Sequence, residues 1–151
     1  MTQRLDNLET ARLVAEVAEN DRDDVDQAIV SSFGAYTRKF VPDYKSKPFK
    51  IYIEDQNKQI IAGLMGILFV GYDCWVHLVS VDLHYHRLGL GTKLFQKLEE
   101  YALEYNCTNI RLETSEIYSK ELYEKLGFSQ IAEVSDGYLG YTAYIMRKYL
   151  K

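Results

Sequence analysis

The chain is 151 residues long, with 18 Lys and Arg against 22 Asp and Glu and a formal net charge of −4. That length fits a single compact domain over residues 1–151 with room for a core. The acidic balance, with no long basic run, argues against a nucleic-acid surface and suits a cationic small molecule. The opening MTQRLDNLET has no apolar signal core, and no stretch reaches membrane-spanning length. A cytoplasmic protein that does not engage membranes is expected.

ARLVAEVAEN alternates Leu13, Ala15 and Val17, the pattern of a half-buried strand. DRDDVDQAIVSSFGAYTRKFV follows as a helix. Asp21, Asp23, Asp24 and Asp26 mass at its start, where negative charge suits the dipole, and this cluster reads as capping rather than a metal site. Val25, Ala28, Ile29, Phe33, Tyr36 and Phe40 share one face, and Pro42 closes the segment. The stretch from Phe49 to Val81 reads as three strands in an antiparallel meander, with turns at Asp55–Asn57 and Gly71–Asp73.

LGTKLFQKLEEYALEYN repeats apolar residues at Leu90, Leu94, Leu98, Ala102 and Tyr105, which predicts a helix. TNIRLETS is a short strand, and SKELYEKLGF a short helix stopped by Gly127. SQIAEV and YTAYIMRKYL are two closing strands around the loop SDGYLG. The order β-α-β-β-β-α-β-α-β-β implies a mixed sheet covered by helices, with a parallel crossover within residues 75–114. Cys74 and Cys107 have no metal-like spacing and read as reduced thiols at or near the core. His77, His84 and His86 form no helical ligand pair, so no metal is expected.

The segment HYHRLGLGTKLF sets Gly89 and Gly91 where a strand gives way to a helix. Glycine there opens the backbone and removes side chains that would block a ligand, and the first helix amides favour an anion. Thr92 adds a hydroxyl, and Arg87 and Lys93 add positive charge. From this stretch alone, a phosphate cradle and an ordinary tight turn are both open. A dinucleotide fingerprint fails because its third glycine position holds Leu94, and a P-loop fails for want of its Gly-Lys-Ser/Thr ending.

VDLHYHRLGLGTKLF resembles the acyl-CoA-binding segment of the GNAT superfamily of N-acetyltransferases. His86 stands where that pattern has Gln or Arg, with Gly89 and Gly91 at its glycine positions. LYEKLGF, residues 122–128, resembles the superfamily's Tyr-x-x-x-Gly-Phe helix end, and LET and GYTAY have counterparts in a subgroup of small members. The resemblance implies an α/β fold of GNAT type: a mixed, mostly antiparallel sheet with a splayed parallel strand pair and helices on both faces. It also implies acetyl-CoA as co-substrate, lying between VHLVSVDL and IRLET. Val81 and Leu83 would pair with the pantetheine arm, and His86, Arg87, Leu88, Gly89, Leu90, Gly91 and Thr92 would hold the pyrophosphate.

Within the resemblance, Tyr123 takes the general-acid position, and Glu113 is the first choice of base, followed by Glu116 and His77. On the helix alone, Tyr123 also reads as a core aromatic, and Glu113 also reads as a cap. Glu116 stands where many members carry Asn, so one contact to the pantetheine arm is missing or replaced, with Tyr118 the candidate. The acceptor is an amine of a small cationic molecule, or a protein lysine or N-terminus. Phe33, Tyr36, Phe40 and the DGYLGY loop are candidate pocket walls or plain core and surface aromatics. A non-catalytic acyl-CoA-binding module and an unrelated nucleotide-binding protein are the rival readings. The resemblance also allows a homodimer.

Overall fold

A computed structural model describes residues 16–19, 21–118 and 120–151. The chain divides into two compact units, one ending at Pro42 and one running from Asp43 to Lys151. In the first, helix α1 spans Asp23–Thr37. Asp23, Asp24 and Asp26 occupy its first turn, but its N-cap, Arg22, makes no side-chain capping bond. Arg22 instead pairs with Asp24 at 2.9 Å. The acidic cluster therefore supplies favourable dipole charge without acting as a cap. Of the predicted first strand, Leu13 and Ala15 lie outside the described residues, and Val17 is exposed and outside any element.

The second unit holds a six-stranded sheet. β1 (Ser46–Glu54), β2 (Ile60–Phe69) and β3 (Asp73–Val81) form the expected meander. Helix α2 (Leu90–Glu104) crosses to β4 (Asn109–Ser115), which pairs parallel with β3. Helix α3 (Lys120–Lys125) precedes β5 (Ser129–Tyr138) and β6 (Tyr141–Tyr149). The spatial order is β1-β2-β3-β4-β6-β5, and β3–β4 is the one parallel pair.

α2 buries Leu94, Phe95, Leu98 and Ala102, each at 1% exposure or less, on one face of the sheet. Those positions recur at helical spacing, so one face of α2 meets Leu64, Leu68, Val76, Ile110, Leu112 and Met146. Each such large side chain contributes about 1.5–3 kcal/mol by leaving water. Tyr123 and Phe128 join this core through edge-on contacts to Phe95, at 5.7 and 5.6 Å between ring centroids. Gly127, at φ +92°, ends the α3 segment as expected.

The sheet departs from regular pairing at two places. Gly66 pairs with Val76 and Met65 with Leu78, so His77 is an extra residue bulging from β3. The predicted SDGYLG loop is instead mostly strand. β5 runs through an irregular stretch to Tyr138, and Leu139 and Gly140, both at positive φ, make a two-residue turn.

Candidate functional site

After β3, the chain makes a short 3-10 turn, Leu83–Tyr85, and then enters α2. Asp82 organises the turn. Its carboxylate accepts from the His84 N–H at 2.9 Å and lies 2.9 Å from His84 Nδ1. Those two bonds, the backbone one first, hold the Asp82 carboxyl below its usual range. The Asp82 N–H turns toward β2, bonding Ile61 O at 2.8 Å, so the preceding carbonyl, Val81 O, points away from β2. His86 Nε2 donates to that carbonyl at 2.9 Å. His86 therefore braces the loop against the strand end, a geometry its place in the motif did not reveal.

Arg87 at φ +63° and Gly89 at φ +75°, ψ 16° take left-handed conformations, and helical residues follow Gly89. Alternation of hand turns successive N–H groups into one concavity, an anion nest. The first bond of α2 runs from Lys93 N–H to Gly89 O, so the amides of Leu90, Gly91 and Thr92 have no partner within the helix. Gly89 makes no side-chain capping bond. A Cβ at Gly89 would meet nothing within 4 Å, and one at Gly91 would only touch Leu122 Cδ2 at 3.6 Å. The residues fit a phosphate-sized anion. Leu83 and Leu88 flank the cradle, exposed.

The parallel pairing of β3 and β4 begins at Asp73–Asn109 and stops at Val76–Leu112. Both strands continue, to Val81 and Ser115, without pairing to each other. The His77 bulge lies where the pairing stops. Its ring stands perpendicular to Trp75, 4.9 Å away. Gly66 makes the bulge possible, because a Cβ there would fall 2.0 Å from Trp75 O. Sequence reasoning missed Gly66, although a glycine inside a strand pattern is the signal for such a close approach.

Tyr123 lies beside the first turns of α2. Its neighbour Leu122 meets Gly91, and its own ring packs on Phe95. It is 9% exposed, and its hydroxyl has no partner among the described residues. Burial raises its pKa, so the phenol keeps its proton well beyond neutral pH. Glu113 is the first residue of β4 past the parallel pairing and is exposed. It alternates with the buried Leu112 and so faces away from α2. Glu116 is exposed and bonds Thr142 O through its N–H at 3.2 Å. Tyr118 pairs its hydroxyl with that of Tyr138 at 3.3 Å, tying the β4–α3 loop to the end of β5. Cys74 and Cys107 are buried and free. Phe33, Tyr36 and Phe40 lie in the first unit and are exposed.

Comparison with known proteins gives this geometry a context. The sequence model of the acetyltransferase (GNAT) family matches residues 14–128. No curated protein matches the sequence at a significant level. Among solved structures, an acetyltransferase from Bacillus cereus is 20% identical, with a TM-score of 0.73 over 89% of this chain and 98% of that one. The ribosomal-protein-S18-alanine N-acetyltransferase of Escherichia coli is 20% identical, with a TM-score of 0.63 over 76% of each chain. A Bacillus anthracis protein described as a streptothricin acetyltransferase, in complex with acetyl coenzyme A, is 23% identical, with a TM-score of 0.60 over 71% of this chain and 65% of that one. The parted strand pair, the glycine-lined helix start and the extended family match agree: the chain belongs to the acetyltransferase (GNAT) family and is an acyltransferase.

Proposed function

We propose that the chain is an N-acetyltransferase that moves the acetyl group of acetyl-CoA onto a primary amine, that of a small molecule rather than of a nucleic-acid-bound target. The observation that carries this reading is the parting of β3 and β4 after Val76 and Leu112, with the open amides of α2 near the far end of β3. Strand edges left unpaired take an extended ligand as an added strand. In this reading the edge of β3 as far as Val81 and Leu83 receives the pantetheine arm. Amides from Arg87 to Thr92 receive the pyrophosphate. His86 serves the cradle indirectly, by holding the loop onto Val81 O.

Bound acetyl-CoA supplies an activated acyl group as a thioester. The amine nitrogen bonds to the acetyl carbon, the carbon–sulfur bond breaks, and the sulfur takes a proton from the Tyr123 phenol. Glu113 takes the amine's proton, directly or through water. No covalent enzyme intermediate is required. We place the reaction in the cytoplasm; no helix among the described residues is long and apolar enough to cross a membrane. β5, an edge strand exposed along its length, is where a homodimer would form.

The test has two stages. Calorimetric titration with acetyl-CoA, against ATP and NAD, should show selective binding, and added primary amines should then release free CoA thiol. A folded sample that ignores acetyl-CoA overturns the reading. Binding without amine-dependent thiol release would leave an acyl-CoA-binding module in place of an enzyme.

A further inference from the structure

The sheet face that α2 and α3 leave uncovered carries two arginines side by side. Trp75, Arg111 and Arg147 are consecutive register partners across β3, β4 and β6. Like charges directly opposite one another on adjacent strands repel. The arrangement is nonetheless well built. The Arg111 guanidinium stacks on Trp75 with Cζ 5.0 Å from the ring centroid, and Arg147 on Tyr149 at 4.6 Å. Both Nε atoms are buried by this packing and lack acceptors, so the outward Nη edges remain for a partner. Arg111 spends one Nη on Asp73 at 3.2 Å. Arg147 makes no ion pair among the described residues.

Stacked, immobilised guanidinium groups present a planar fork suited to carboxylate or phosphate oxygens. A bound oxyanion would cancel the Arg111–Arg147 repulsion. The location adds a second constraint. Arg111 and Arg147 lie at the level where β3 and β4 are still paired, and Glu113 is two residues further along β4, on the same face, where they have parted. Because Glu113 pairs with Ile145, it is diagonal to Arg147, a relation that separates backbones by about 7–8 Å. A molecule entering the gap from this face thus meets a carboxylate first and a guanidinium one short chain-length away.

We propose that Arg111 and Arg147 form an oxyanion site beside the gap, and that the acceptor is a primary amine bearing a carboxylate or phosphate. This rests on the acyl-transfer reading and narrows it. The ammonium end lies at Glu113 and the oxyanion end at Arg147. The acceptor is then a zwitterion, whereas the chain's net charge alone pointed to a cation.

Trp75 is the only tryptophan in the chain and touches Arg111, so its fluorescence reports on the site without any turnover. The full-length protein is titrated with 4-aminobutyrate and with 2-aminoethyl phosphate, which separate the two oxyanion types. Butylamine and 1,4-diaminobutane are the neutral-tailed and cation-tailed controls. A saturable change is expected with at least one oxyanion and with neither control. Arg147→Gln should weaken that response tenfold or more with thermal stability unchanged, and Arg147→Lys should recover part of it. In turnover, the KM of the oxyanion-bearing amine should lie at least tenfold below that of butylamine, and Arg147→Gln should erase the difference by raising the KM of the oxyanion-bearing amine. No saturable response to either oxyanion, or an equal response in Arg147→Gln, overturns the site. A response without thiol release from any amine would keep the site and sink the transfer reading. Equal KM values for butylamine and the oxyanion amines, with no fluorescence response, would do the reverse.

Discussion

Gly66→Ala is the perturbation that tests the architecture most directly. The added Cβ would stand 2.0 Å from Trp75 O and 3.0 Å from both Trp75 C and Phe49 Cζ. Carbon and oxygen do not approach so closely without bonding, so β2 and β3 must separate by at least about 1 Å at the bulge. Strands sit about 4.8 Å apart, and a shift of that size stretches one or two neighbouring rungs beyond hydrogen-bond range. Overpacking costs about 1–3 kcal/mol and each lost rung about 1 kcal/mol, for a total of roughly 2–5 kcal/mol. At this chain length that lowers the melting temperature by roughly 6–15 °C. Urea unfolding of Gly66→Ala beside Gly63→Ala measures it. The latter is a control whose nearest contact is a milder 3.3 Å to Ile51 O. A Gly66→Ala loss below about 1 kcal/mol, or no larger than that of Gly63→Ala, would refute the idea that this glycine admits the bulge. Acetyl-CoA affinity should also fall in Gly66→Ala where the protein still folds, since the bulge lies at the point where β3 and β4 part.

Tyr123→Phe should lower kcat about 10²-fold while leaving acetyl-CoA affinity and stability nearly unchanged, because the hydroxyl has no partner among the described residues. With its pKa raised by burial, wild-type turnover should hold to a higher pH than an ordinary phenol allows; an alkaline decline starting below pH ~9 speaks against Tyr123 as the acid. In the cradle, Gly89→Ala should cost about 1–2 kcal/mol through its left-handed backbone, whereas Gly91→Ala should be neutral or stabilising by up to about 1 kcal/mol; thermal melts that reverse this order count against the loop geometry. Burial pushes the Cys74 thiol from 9.0 up to about 12. Its contribution is therefore intact below pH 9.0 and is lost as pH rises toward 12, by about 1 kcal/mol from pH 9 to 10. The buried Cys107 thiol is shifted the same way, so urea melts across that range should show at least this slope, and Cys74→Ala should reduce it without abolishing it.

The meander, the crossover and the two later helices were legible because each has its own period and its own punctuation. α2 repeats apolar residues at helical spacing from Leu90, and Gly127 stops α3 at a positive φ. The parallel pairing was legible too, since a strand, a helix and a strand in succession leave little else. What stayed hidden depends on register. Nothing local in TNIRLETS or YTAYIMRKYL says that Arg111 and Arg147 stand opposite one another, and that fact appears only once β4 and β6 pair. The His77 bulge is similar, because an extra residue exists only relative to a partner strand. The motif gives His86 a place in the loop but not a direction for its ring, which turns back to Val81 O, five residues earlier. Toward the C-terminus, the SDGYLG segment misleads because glycine and aspartate mark turns, yet Asp136 and Gly137 are absorbed into an irregular strand.

The parallel contact between β3 and β4 is only four residue pairs long, Asp73–Asn109 to Val76–Leu112. It joins two antiparallel halves, β1–β3 and β4–β6–β5, each built from neighbouring segments of chain. Such a seam has the fewest rungs in the sheet, and a ligand lying in the parted region would add rungs to it. A ligand present at a hundred times its dissociation constant stabilises the native state by about 2.7 kcal/mol. On the proposed reading, the protein's resistance to proteolysis would follow the supply of acetyl-CoA. Its lifetime in a cell would then track the metabolic state of that cell, with no dedicated regulator.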